Sequence, residues 1–185
     1  MADRIKVLGF AGSLRQGSYN RATLRAAVEL APASMTIETF DLAPIQPYNE
    51  DVKERGFPPP EHEFRERIRA ADALLIVTPE YNRSMSGVLK NAIDWASRPP
   101  DQPFDGKPTA ILGASPGMIA TAVAQYDLRR CLSVLNALVL NRPSIMIGQA
   151  SEKFDREGRL TDETTRNLIS QLLDALVEWT KRHRA

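Results

Sequence analysis

The stretch Gly12-Ser13-Leu14-Arg15-Gln16-Gly17-Ser18-Tyr19-Asn20 sets short polar side chains, one cation and two flanking glycines ahead of a helix-like segment. A bound phosphate calls for backbone N–H groups at a helix N-terminus, hydroxyls that approach closely and preferably a positive charge. Ser13, Ser18 and Asn20 offer the short hydrogen-bonding groups and Arg15 the charge. Two commoner phosphate signatures are missing. A nucleoside-triphosphate loop requires Gly-Lys-Ser/Thr after four intervening residues, and this loop holds no lysine; a dinucleotide loop reads Gly-x-Gly-x-x-Gly, whereas Gly9 and Gly12 stand three apart. The loop fits a monophosphate held without magnesium. Taken alone, Ser18 or Asn20 equally fits a simple helix cap.

Two further stretches have the same unusual character. Pro79-Glu80-Tyr81-Asn82-Arg83-Ser84-Met85-Ser86-Gly87 runs straight out of a buried-looking apolar segment. It offers backbone N–H groups to the polar edge of a flat heterocycle, sets Tyr81 near such a ring, and lets Ser84 or Ser86 cap the next helix. Alone, it also reads as a capped turn with a surface tyrosine. Gly113-Ala114-Ser115-Pro116-Gly117 is small and polar, and alone it reads as a turn.

Strands and helices must bring these loops together. Apolar runs at 5–11, 73–78, 109–114 and 144–147 are nearly continuous, as in parallel strands covered on both faces, and the weaker alternation at 35–40 suits an edge strand. Helical periodicity spans 21–31, 61–71, 87–96 and 126–140. A final helix carries Leu168, Ile169, Leu172, Leu173, Leu176 and Val177, with Thr161 as its expected N-cap. All thirteen prolines fall in connectors or at element edges, and the long connectors 43–60 and 98–107 read as loops, not linkers. The β-α alternation predicts an α/β, flavodoxin-like, doubly wound five-stranded parallel sheet of order 2-1-3-4-5, with helices on both faces. Its ligand crevice lies at the carboxyl ends of strands one and three. All three special loops leave strands at that end.

The bulk properties narrow the function. A chain of 185 residues, 43% hydrophobic and 25% charged, suits a single domain spanning 1–185 and excludes disorder as the main reading. A net charge of +1 gives no field with which to gather nucleic acid or anionic lipid. Cys131 is the sole cysteine, so no intramolecular disulfide and no thiolate metal cluster can form; between Leu128, Leu132 and Leu135 it reads as an inert core thiol. No metal site is expected. His62 and His183 sit in polar surroundings and are expected to be solvated. No secretory signal and no apolar run near the ~20 residues of a membrane helix are present, so the expected compartment is the cytoplasm.

At the loops described, the sequence resembles the NAD(P)H-dependent FMN reductase family, including its quinone- and chromate-reducing members. The resemblance rests on Gly12-Ser13-Leu14-Arg15 with Gly17-Ser18-Tyr19-Asn20 and on Pro79-Glu80-Tyr81-Asn82. It continues through Ser84-Met85-Ser86-Gly87 to Trp95, Gly113-Ala114-Ser115 and Lys153-Phe154-Asp155. It implies FMN as cofactor, with NADPH or NADH as hydride donor and a quinone or another small acceptor (chromate, an azo compound or free flavin). Ser13, Arg15, Ser18, Tyr19 and Asn20 would hold the FMN phosphate end. Pro79, Glu80, Tyr81 and Asn82 would frame the isoalloxazine ring, mainly through backbone groups, and Ser115 and Gly117 would approach its other side or the ribityl chain. The resemblance also implies a homodimer or homotetramer; Trp95 fits either such an interface or the core. The chemistry would belong to the cofactor, so no side chain is assigned as acid, base or nucleophile. A non-enzymatic, flavodoxin-like electron carrier is the alternative. The chain departs from many relatives in having Ala120-Thr121 where they carry a glycine pair, a change that bears on how the fourth-strand loop meets the ring.

Overall fold

A computed structural model describes residues 4–183. The central sheet is parallel and runs β2 (Met35–Phe40), β1 (Ile5–Ala11), β3 (Ala73–Val77), β4 (Pro108–Ala114) and β5 (Leu138–Val139), with β6 (Ile145–Ile147) also pairing β4. This is the doubly wound order expected from the alternation of elements.

The apolar runs are continuous because each face of the sheet has its own helical cover. Ile5, Val7, Leu75, Val77 and Leu112 point to one face, where they pack with α1 (Tyr19–Glu29) and α6 (Glu163–His183). Leu8, Phe10, Leu74, Ile76 and Ile111 point to the other. There they meet α3 (Pro59–Ala70), α4 (Gly87–Ala96) and α5 (Ala122–Val134). All five residues of β3 are buried, so an Ile76→Ala change would cost about 2–5 kcal/mol through a cavity that cannot collapse.

Three local expectations need correction. The helix expected at 126–140 ends at Val134, because Asn136 takes a left-handed conformation (φ 55°) and the chain turns to form β5. The apolar spacing of Leu135 and Val139 continued the helical period without a helix beneath it. The fifth place in the sheet is therefore filled twice: β5 pairs with the start of β4, and β6 with its end. Asp162, not Thr161, caps α6: its carboxylate accepts the Thr165 N–H at 2.7 Å, while Thr161 N–H donates to Lys153 O. A short helix, α2 (Glu50–Lys53), also interrupts the first long connector.

Trp95 belongs to the core. It is fully buried, stacks edge-on against Tyr48 and donates to Gln46 O at 2.8 Å. The second long connector is gathered by Arg65, whose guanidinium donates to the carbonyls of Ala96, Arg98 and Pro100. No described helix is long and apolar enough to cross a membrane.

Candidate active site

The loops after β1, β3 and β4 are tied to one another by side chains, and these ties decide what remains free for a ligand. Ser86 caps α4, accepting Leu89 N–H at 3.2 Å, and donates its own proton to Gly12 O at 2.5 Å. That joins the third-strand loop to the first. A Cβ at Gly12 would come within 2.8 Å of the Ser86 hydroxyl and 3.0 Å of Leu89, so only glycine permits this approach. Glu80 reaches across to α5, where its carboxylate accepts the N–H groups of Val123 and Ala124, each at 3.0 Å. Thr121, the residue in the N-cap position, makes no side-chain cap bond, so Glu80 supplies that function from another loop.

Asn20 completes the set. Its amide donates to Ala114 O and its oxygen accepts from Ala114 N–H, both at 2.9 Å, with the side chain 4% exposed. The helix cap is Ser18, which accepts from Asn20 N–H and Arg21 N–H at 3.2 and 3.4 Å. With its oxygen already accepting, the Ser18 hydroxyl still has a proton to donate.

What remains unengaged lies together. Ser13 is 6% exposed, and among the described residues its hydroxyl has no hydrogen-bond partner. Arg15 is exposed, has no carboxylate partner among the described residues, and lies 5.8 Å from the centre of the Tyr19 ring. The Tyr19 ring is itself set by Phe154 from the C-terminal segment, 5.4 Å away. Ser13, Arg15, Ser18, Tyr19 and Asn20 line one cavity of about 130 Å³ with Pro79, Glu80, Tyr81, Ala114, Ser115 and Pro116.

Nine of the eleven residues singled out in the sequence line this cavity. The other two do not. Asn82 sits at the exposed apex of a two-residue turn, where it and Arg83 both have positive φ (52° and 64°) while Tyr81 and Ser84 exchange backbone hydrogen bonds. Gly117 is exposed beyond Pro116, with its N–H donating to Ser115 Oγ.

Sequence reading missed the ties themselves: Ala114 as the partner of Asn20, and Asp127 as the anchor of the turn. Asp127 accepts from the Ser84 hydroxyl and lies 2.7 Å from Arg130; the Ser84 bond first and Arg130 second hold its carboxyl below the usual range. A charged residue on the helix following a ligand loop carries no sequence signal for such a role.

The departure at Ala120-Thr121 is now interpretable. Ala120 has φ 55°, a conformation that favours glycine, and the buried Thr121 hydroxyl accepts from Gln125. The chain thus keeps the glycine-type turn without the glycine. Cys131, expected as a core thiol, is half-buried on α5, one turn beyond Asp127, and burial pushes its thiol up, keeping it protonated near neutrality. His62 and His183 are exposed.

A small crevice at the carboxyl ends of β1, β3 and β4 of a doubly wound sheet thus gathers hydroxyls and a cation without a carboxylate partner among the described residues at a helix N-terminus, the donor set that a phosphomonoester calls for. Over residues 5–152 the chain matches the NADPH-dependent FMN reductase family, and it belongs to that family. It is 60% identical over 184 residues to an NAD(P)H-dependent FMN reductase of Pseudomonas aeruginosa, covering 100% of both chains. It is 43% identical to a quinone reductase of Escherichia coli K12, covering 98% of each. Among solved structures it is similar to FerB, a flavoenzyme NAD(P)H:(acceptor) oxidoreductase of Paracoccus denitrificans. The TM-score there is 0.88 with 35% identity, covering 97% of this chain and 98% of the other.

Proposed function

We propose that this chain is an FMN-dependent oxidoreductase that takes hydride from NAD(P)H and reduces quinones or other small acceptors. The single observation that carries this reading is the presence together, inside a frame of three cross-tied loops, of the unengaged hydroxyl of Ser13, facing the crevice, and of Arg15 at the N-terminus of α1, which has no carboxylate partner among the described residues. Its donors suit a phosphomonoester: they are neutral or cationic, and the nearby carboxylate, Glu80, is already occupied by two N–H groups.

When bound, FMN supplies the hydride chemistry; the residues supply binding and orientation. Ser13, Ser18 and Arg15 hold the phosphate end, and Tyr19 stiffens Arg15 from below. Pro79, Glu80 and Tyr81 would frame the ring through backbone groups, with Ser115 lining the same crevice, while Asn82 and Gly117 stand outside it and would shape the loops. Asn20 acts by positioning the fourth-strand loop. Because the loops are braced against one another, little reorganisation is needed on binding, which is the main way a protein lowers the cost of gripping a ligand.

The chain forms a single flavodoxin-like domain over 1–185, as supported by two core clusters sharing one sheet. It works in the cytoplasm as a homodimer or homotetramer. Exposed apolar side chains support assembly: Tyr126 and Val134 on α5 and Met118 on the adjoining loop are 75%, 83% and 86% exposed.

The test is anaerobic addition of NADPH to protein loaded with FMN. The yellow absorbance should bleach and return when a quinone is added. Protein that cannot hold FMN, or whose bound flavin stays yellow with both NADPH and NADH, overturns the reading.

A further inference from the structure

A second cavity, of about 390 Å³, opens between α1 and the end of β2, within the roughly 300–1,000 Å³ range of small-molecule sites. It is three times the size of the phosphate crevice and adjoins it, since Ser13 lines both. Its walls are apolar: Ala11 from β1, Leu24 and Val28 from α1, and Phe40 from β2. Val28 is 38% exposed, leaving apolar surface open to the cavity. The rim is polar. Arg21, Arg25 and Glu29, each one turn from the next on the same face of α1, line it together with Asp41, the residue that follows β2, and Arg21 is the cation nearest Asp41.

The rim pair is loose. Arg21 and Asp41 approach to 3.4 Å, with side chains 36% and 52% exposed, so solvent already shares both charges and the contact exchanges easily for a better one. Arg25 is steadied by donating to Gly158 O at 3.2 Å. An apolar slot for a flat base, with a cation able to leave its carboxylate for a phosphate, matches a nucleoside that carries an additional phosphate on its ribose.

We propose that this cavity receives the adenosine half of the hydride donor, with Arg21 turning from Asp41 to the 2′-phosphate of NADPH. This rests on the flavin-reductase reading above. Neighbouring strands lie about 4.8 Å apart. In the order β2-β1-β3-β4 the cavity is therefore about two strand spacings, ~10 Å, from the loops leaving β3 and β4. An extended dinucleotide bridges that gap. The site makes NADPH the preferred donor, and Asp41 sets the size of the preference by competing for Arg21.

The experiment compares wild type, Arg21→Ala and Asp41→Asn, measuring KM for NADPH and NADH, the FMN dissociation constant, and inhibition by adenosine 2′,5′-bisphosphate. Arg21→Ala should raise KM for NADPH at least about tenfold, the loss expected for a charge-assisted contact, with a much smaller change for NADH. Asp41→Asn should lower KM for NADPH. The bisphosphate should compete with NADPH in wild type and weaken in Arg21→Ala. FMN affinity should stay level throughout, because neither side chain lines the phosphate crevice. Unchanged KM for NADPH in both variants, with FMN binding and turnover intact, overturns the site. Wild-type protein that neither binds FMN nor oxidises either donor overturns the flavin reading, and the site with it.

Discussion

Asn20 and Ala114 exchange two hydrogen bonds of 2.9 Å each, so a side chain at the start of α1 acts as a strand partner for the end of β4. Replacing Asn20 with alanine strands a buried N–H and a buried C=O. Each unsatisfied group costs about 1–3 kcal/mol. Asn20→Ala should therefore lower the urea midpoint and, by freeing the Ser115 loop, weaken FMN binding in the same protein. Asn20→Asp should fall between the two, since a carboxylate still accepts from Ala114 N–H but opposes its carbonyl. A variant as stable as wild type would show that the clasp contributes nothing.

Arg15 should behave in the opposite way. Its guanidinium has no carboxylate partner among the described residues, so Arg15→Ala should leave thermal stability unchanged. Loss of one charge-assisted contact to phosphate, about 1.5–3 kcal/mol, should reduce FMN affinity about ten- to a hundredfold. Turnover at saturating FMN should persist. A titration giving the wild-type dissociation constant would remove Arg15 from the phosphate site.

Ala120 holds a left-handed backbone, which costs a residue with a Cβ about 1–2 kcal/mol, offset in part by the greater unfolded-state freedom of glycine. Ala120→Gly should therefore stabilise the protein by up to about 1 kcal/mol, or about 2–4 °C for a chain of this size. A lower melting temperature would mean that the alanine methyl makes a packing contribution larger than its strain.

Asp127 gives a pH signature. Its folded pKa is lowered, first by the Ser84 hydroxyl and then by Arg130. The associated stability is fully present above the unfolded value of about 3.9 and is lost as pH falls through the lower folded value. Asp127→Asn removes this dependence, so its stability should fall less steeply than that of wild type below about pH 4. Parallel acid limbs in the two melting series would exclude the linkage.

The frame was legible because the physics that builds it is local in pattern. Four continuous apolar runs could only be strands covered on both faces, and their alternation with helices left one common sheet order. Which loops would converge followed from that order. The individual roles did not follow, because Asn20 and Glu80 act on atoms 94 and 43 or 44 residues away in sequence. An asparagine that braces a neighbouring loop and one that binds phosphate look identical in sequence. The end of α5 was readable in principle, since asparagine is a common residue in left-handed helix stops, but the apolar period through Leu135 and Val139 masked it. The α1–β2 cavity has no motif at all; it arises from where Val28 and Phe40 meet across two elements.

The division of the sheet's fifth place between β5 and β6 bears on how copies of the chain can meet. A margin made of a two-residue and a three-residue strand, separated by a segment containing Pro143, offers no long row of free amides to an incoming strand. At the opposite margin, Glu38 of β2 is engaged by Arg67 at 2.9 Å and places charge along the rim. Continuation of the sheet from one molecule into the next is thereby discouraged at both ends, and lateral growth toward fibrous aggregates is blocked by the same irregularity that shortens the last strands.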